Sequence, residues 1–317
     1  MKNSMYLSPL NIPKGRSGKW SIEHDIIPAY TSITEISHRT ALFRGIRPKN
    51  TVLDFPLKIH MLKNNGGLVM SDCLQERFDH EIVVDAMSGK ILIGGLGLGY
   101  VASLLDKKKS VTEITIVEKS KDVIKLVASH LHLKKLKQVH NQDIYRFLNP
   151  TFCPKCKSRS IGHGFEKDGT ISWRCIHCGN EWIQERYDYI YIDIWTGTGE
   201  ATLIEHVLPL RKLCNPFVAS SKHIIYWQED VMRGQVKFAL HNRLLVPSLL
   251  KEHLELPQQK FDEIFNNKYL RIQKPFWNWV RAEKENPDIA KIAEKVIDEY
   301  VDLYGEPEFD KRWKEWM

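Results

Sequence analysis

"KILIGGLGLGYVASLL", residues 90–105, decides how the chain reads. A short apolar run stops at Gly94-Gly95. Glycine then alternates with leucine through Gly97 and Gly99, and a helical pattern of apolar residues follows. The stretch predicts a strand, a turn bare of side chains, and a helix. Glycines at such a crossing remove side chains where a ligand has to approach the main chain. Glycine-rich turns also serve plain packing, so the loop needs support from elsewhere in the chain.

That support comes from the strand ends downstream. "EITIVEK" reads as a second strand, ending near Glu118, 19 residues after Gly99. "KDVIKLVASHLH" reads as a helix, with Val123, Ile124, Val127 and Leu131 at helical spacing. "KQVHNQD" reads as a third strand with its exit loop, "YDYIYIDIW" as a fourth, residues 199–212 as a helix and "SKHIIYWQED" as a fifth strand. Strands alternating with helices imply a parallel sheet covered by helices. A carboxylate at Glu118 can accept both hydroxyls of a ribose, or simply be solvated beside Lys119 and Lys121. Asp143 can read an adenine amino group, and it is equally a good helix N-cap. Asp193 closes an apolar strand, where a buried carboxylate is costly without a partner or a purpose. All four positions fall at the C-terminal ends of successive strands, the edge where open α/β sheets bind ligands.

"ILIGGLGLGY", "ITIVEKSKDVI", "HNQDIYRFL" and "YDYIYIDIW" resemble the successive motifs of the class I S-adenosylmethionine-dependent methyltransferases. The resemblance is nearest to their spermidine-synthase-like branch. "GGLVMSDCLQERFDHEIVVDA", just upstream, is similar to the segment that precedes the glycine loop in methyltransferase-like proteins. The similarity covers roughly residues 64–230 without the cysteine-bearing insert. It implies an α/β, Rossmann-like doubly wound sheet and a transferase using S-adenosylmethionine or its decarboxylated form. On that resemblance Gly95, Gly97 and Gly99 line the methionine and ribose portion. Glu118 takes the ribose hydroxyls, Asp143 the adenine, and Asp193 faces an acceptor still to be identified. Aminopropyltransferases place a second acid shortly after the position of Asp193. Here "DIWTGTGE" offers Thr196, with no carboxylate until Glu200, so methyl transfer is expected over aminopropyl transfer. No "NPPY"- or "DPPY"-like tetrapeptide follows the fourth strand, which argues against a standard nucleic-acid amino-methyltransferase. The rival reading is a non-catalytic scaffold that binds nucleic acid or protein.

The insert, residues 150–184, carries Cys153, Cys156, Cys175 and Cys178 as two C-x-x-C pairs separated by 18 residues. Each pair can grip one ion from a tight turn, and two pairs complete a tetrahedron, so the insert reads as a zinc ribbon. Four protein ligands leave no open position, so the zinc is expected to be structural. Lys155, Lys157, Arg159, Lys167 and Arg174, with Trp173 and Trp182, offer a basic and aromatic surface suited to nucleic acid, or a solvated face around a staple. The strand before the insert ends at the ligand edge and the strand after it runs back there. The ribbon is therefore expected on the far side of the sheet.

The remaining expectations are coarser. Residues 1–80 read as a β-rich lead-in with a hairpin at "KNNGG" and a poorly ordered start over residues 1–20. Residues 81–149 and 185–235 form the sheet domain, and 236–317 a helical extension. His80 and Glu81 read as site residues or as a surface pair opening a helix. Trp195 reads as core or as an acceptor wall, and "YWQED" as a possible pocket border. A net charge of +7 permits nucleic-acid contact without demanding it. No apolar run spans a membrane and no export signal is visible, so the chain reads as cytoplasmic, free to oligomerise. There is no G-x-S-x-G, no H-E-x-x-H and no P-loop.

Overall fold

The computed structural model describes residues 8–34, 50–166, 170–195 and 206–232. The helical extension expected over 236–317, and Thr196 and Glu200, lie outside them.

The chain begins with an antiparallel sheet. β1 (Gly15–Ser17) pairs with β2 (Trp20–Ile27). β3 (Ser32–Thr34) and β4 (Asn50–Val52) form a separate small pair. β5 (Leu57–Asn64) then lies against β2, and β6 (Gly67–Ser71) against β5. The β5–β6 turn is Asn65-Gly66, both with positive φ (50° and 80°), the backbone a tight two-residue hairpin demands. Leu62 pairs with Met70 and Lys63 with Leu68, so Val69 is an extra residue on β6. "TVLDFPLKIHML", read as one run, divides into β4 and β5 around Pro56, which lacks an N–H to donate to a ladder. The expectation of a poorly ordered start is corrected from Leu10 onward: Leu10 and Ile12 are buried, and His24 Nε2 lies 2.7 Å from the Ile12 carbonyl.

Helix α1 (Leu74–Ala86) runs across the expected boundary at residue 80 and leads into the parallel sheet. β7 (Gly89–Gly94), α2 (Tyr100–Lys107), β8 (Val111–Glu118), α3 (Lys121–Val127), β9 (Leu136–Asn141) and α4 (Ile144–Leu148) follow in order. The insert contributes its own antiparallel sheet of β10 (Ile161–Phe165), β11 (Ile171–Cys175) and β12 (Glu181–Gln184). β13 (Tyr189–Ile192), α5 (Leu208–Cys214) and β14 (Ile224–Tyr226) complete the described chain. The five-stranded order is β14-β13-β7-β8-β9, all parallel. Counted along the chain that is 3-2-1-4-5 read from β9, so the order turns back between β7 and β13.

Alternation along each strand sorts two cores. Ile91, Ile93, Tyr189, Tyr191 and Ile225 join residues of α1, α2 and α3 on one face. Leu92, Ile190, Ile192, Ile224 and Tyr226 join α4 and α5 on the other. Both faces are covered, which is why these strands read as continuous apolar runs. The helix expected over 121–132 ends at Val127 and continues as a single 3₁₀ turn, Ala128–His130. Among the described residues no helix is long and apolar enough to cross a membrane.

Candidate functional site

The turn between β7 and α2 sits at the C-terminal edge of the sheet, beside the point where strand order reverses. Gly95, Gly97 and Gly99 all have positive φ (94°, 51° and 72°), a region that L side chains avoid. The space each leaves is filled by the protein itself. A Cβ on Gly95 would strike the Asp193 carbonyl, one on Gly97 the Met70 sulfur, and one on Gly99 the Leu131 side chain. The glycines therefore dock the loop onto β13, β6 and the segment after α3.

Glu118, at the end of β8, faces this loop. One carboxylate oxygen accepts the Leu96 N–H at 2.9 Å and the other accepts the Ser120 N–H at 2.7 Å. Each oxygen keeps lone-pair capacity for a further donor. Asp143 caps α4 by accepting the Tyr145 N–H at 3.0 Å and pairs with Lys119 at 3.0 Å. The cap reading of Asp143 is thus observed, and its carboxylate lies at the same edge as Glu118. Asp193 follows β13, and burial raises its pKa to about 7.

Sequence reasoning missed what α1 brings to this edge. Glu76, Asp79 and His80 are spaced i, i+3 and i+4 and so share one helix face. Burial raises Glu76 to about 8, opposed by hydrogen bonds from Ser71 and reinforced by the negative charges of Asp193 and Asp79. The Tyr191 hydroxyl is also pushed up, first by burial and then by Asp193, Asp79 and Glu76. Glu76 thus feels the charges of both Asp79 and Asp193 at this edge. The Gln228 amide donates to Asp79 at 3.3 Å. His80 is no surface residue: it is 2% exposed, its Nδ1 lies 3.1 Å from the Tyr191 hydroxyl, and burial lowers its pKa to about 4. It sits in mid-helix because α1 begins six residues earlier, at Leu74. Glu81 lies 3.5 Å from the Tyr100 hydroxyl. Trp195 packs on the α4–α5 face and stacks with Tyr226 at 6.0 Å. The start of α1 is anchored by Asp72, which meets Arg77 at 3.1 Å and His60 at 3.0 Å. Burial alone would raise Asp72; His60 and Arg77 outweigh it and hold the carboxyl below its ordinary value.

These shifts set a pH dependence of stability. Asp193 and Glu76 keep their protons to about 7 and about 8 in the folded chain, against 3.8 and 4.5 ordinarily. The folded state then binds more protons than the unfolded one, and stability falls as pH rises through that window. His80 works oppositely: its value is 6.5 unfolded and about 4 folded, so stability rises with pH between those limits. Above 6.5 the unfolded His80 loses the rest of its proton, and the two carboxyls, still largely protonated in the folded chain, outweigh it. The melting temperature should therefore fall from pH 6.5 to 8, and Glu76→Gln should flatten that slope. A circular-dichroism melt series that stays level or climbs over this range refutes the buried-carboxyl cluster.

The second site is the cysteine cluster. Cys153, Cys156, Cys175 and Cys178 place all four sulfurs within 4.8 Å of one another, and no disulfide joins them. Cys153 and Cys178 sulfurs are 3.7 Å apart, and those of Cys156 and Cys175 are 3.5 Å apart. Thiolates about 2.3 Å from a tetrahedral ion stand about 3.8 Å apart, so the four could hold a metal ion. Both turns are built alike. The Lys157 N–H returns to the Cys153 carbonyl at 3.0 Å and the Gly179 N–H to the Cys175 carbonyl at 2.9 Å. The residue after each second cysteine is left-handed, Lys157 at φ 62° and Gly179 at φ 69°. Only the glycine was legible as a turn former.

The ribbon joins the sheet at the edge opposite the glycine loop. Gln184 donates to the Phe147 carbonyl at 2.6 Å, at the far end of α4. The Asp188 N–H then reaches the Lys90 carbonyl at 2.8 Å, at the start of β7. Trp173 is buried with Leu148 and Tyr187, bonds Gln184 at 3.2 Å and stacks on Trp182 at 6.2 Å. Arg174, itself exposed, pairs with Glu181 at 3.4 Å, and Lys155, Lys157 and Arg159 are exposed as well.

The chain matches no protein-family model and no curated protein.

Proposed function

We propose that the chain is an S-adenosylmethionine-dependent transferase acting on an amine acceptor, with a structural zinc ribbon. The observation that carries this reading is Asp193 packed against Gly95 of the glycine loop and Glu118 bonded to Leu96 from the next strand end, with Glu76 feeling the charges of Asp79 and Asp193. Bound S-adenosylmethionine supplies an electrophilic carbon attached to a sulfonium. Glu118 would hold its ribose, Asp143 its adenine, and the loop from Gly95 to Gly99 its remainder. A cationic amine suits these carboxyls: its charge would favour their ionised forms, and those in turn would offset it. An amine must lose a proton to become a nucleophile, and Asp193, near 7, is matched to accept one at neutral pH. Turnover should then climb through pH 7 as that carboxyl ionises.

The same carboxylates favour a second reading. Sequence reasoning ranked aminopropyl transfer below methyl transfer for want of a second acid after Asp193, yet α1 supplies Glu76 and Asp79. Transfer from decarboxylated S-adenosylmethionine therefore stands beside methyl transfer. Calorimetry with both donors, followed by mass spectrometry of a panel of amines, tells them apart. Binding of neither donor favours the scaffold reading.

Glu118 gives the first check. Removing a carboxylate that serves the loop and a ribose should cost about 1.5–3 kcal/mol, the range for bonds to charged groups. Glu118→Ala should thus weaken donor binding roughly ten- to a hundredfold. Unchanged affinity by calorimetry would place the donor elsewhere.

In the ribbon, an all-thiolate tetrahedral set with no open position is the donor set of a structural zinc. It would fix the two turns and supply no chemistry to the transfer.

A further inference from the structure

The extra residue Val69 re-aims β6 at the glycine loop. Met70 Sδ accepts the Leu98 N–H at 3.2 Å and fills the space over Gly97. With Gly95, Leu96, Tyr100 and Asp193 it borders a cavity of about 20 Å³. A water fits such a space, whereas ligand pockets run to hundreds of cubic ångströms. The loop as it stands is closed, and the side chain closing it is unbranched and has three rotatable bonds.

Two of the loop's N–H groups are held very differently. The Leu96 N–H is bonded at 2.9 Å to the Glu118 carboxylate, a strong acceptor. The Leu98 N–H has a thioether, among the weakest acceptors a protein contains. Exchanging that sulfur for a hydroxyl or carboxylate oxygen of a ligand gains a better bond at the same donor. Withdrawing Met70 opens the space over Gly97 in the same movement.

We propose that Met70 is a displaceable gate over a ligand-binding N–H: an adenosyl ligand pushes the thioether off Gly97 and takes the Leu98 N–H for itself. The inference rests on the donor-site reading given above. The gate lowers apparent affinity by the fraction of time it stays closed.

Calorimetry with S-adenosylmethionine and S-adenosylhomocysteine on the wild type, Met70→Ala and Met70→Leu tests it, with amide hydrogen exchange over residues 95–99. Met70→Ala should bind roughly tenfold tighter, since no plug remains to be displaced. Met70→Leu keeps the bulk and drops the acceptor. Its Leu98 amide should exchange faster than wild type in the free protein and regain protection when ligand is added. Wild-type binding with equal or weaker affinity in both variants overturns the gate and leaves the donor site standing. No binding by any of the three proteins overturns site and gate together.

Discussion

Asp193→Asn should slow transfer to an amine by roughly 10²- to 10⁴-fold, the usual worth of a positioned general base, while donor affinity stays nearly unchanged. Asparagine keeps the shape of the side chain and cannot accept the proton. Shape matters here because Gly95 packs against the Asp193 carbonyl, so a substitution that shifts this backbone would disturb the loop as well. Burial holds the carboxyl near 7, poised between its two forms at neutral pH. The same burial means that its ionised form strains the fold. The variant should therefore melt higher than wild type at pH 8, with less difference at pH 5, where the carboxyl is protonated anyway. A fall in kcat with unchanged calorimetric donor affinity and a raised alkaline melting temperature is the expected set. Full activity in Asp193→Asn removes the residue from the mechanism.

What could be read from sequence was whatever repeats locally. β7, β8, β13 and β14 are short apolar runs buried on both faces, and the order of their terminal groups along the chain placed Glu118, Asp143 and Asp193 at one sheet edge. The two C-x-x-C pairs carry their geometry in their spacing. What stayed hidden depends on contacts distant in the chain. Glu76 feels the charge of Asp193 across more than a hundred residues of chain, and nothing in "QERFDHE" distinguishes a helix face turned inward from one turned to water. Met70 reaches Gly97 only because of a one-residue bulge, which hydrophobic alternation does not announce. Leu10 and Ile12 were hidden for a compositional reason: isolated apolar residues among Ser, Pro and Lys look solvated, yet both pack beneath the parallel sheet's helices. The glycines were read as space for a ligand, and each also makes room for a protein neighbour. Sequence does not separate those two uses.

One zinc per chain should be found by elemental analysis, and Cys175→Ser should abolish it. The four thiols are not brought together by anything but the folded ribbon, so ion binding and ribbon folding are one equilibrium, worth about 10–16 kcal/mol in small zinc modules. A serine in place of Cys175 removes one of four ligands from a set whose sulfurs stand 3.5 and 3.7 Å apart in pairs. Without the ion, the two turns are held only by their own backbone bonds and by the three short strands. Residues 150–184 should then exchange amide hydrogens faster and be cut more readily by protease, and a chelator should do the same to the wild type. The damage should spread a limited way. Ile171 and Trp173 belong to the cluster of Leu148, Ile190 and Phe217, so their release lowers the sheet's stability by about 1.5–3 kcal/mol for each large side chain exposed. The opposite face, with Ile91, Ile93, Val101 and Leu105, loses nothing. Donor affinity should hold within about threefold, because the ribbon meets the sheet domain at Phe147, the chain re-enters the sheet beside Lys90, and the glycine loop lies at the other end of the strands. A folded Cys175→Ser protein that no longer binds donor would put the ribbon inside the active site and refute this division of the molecule.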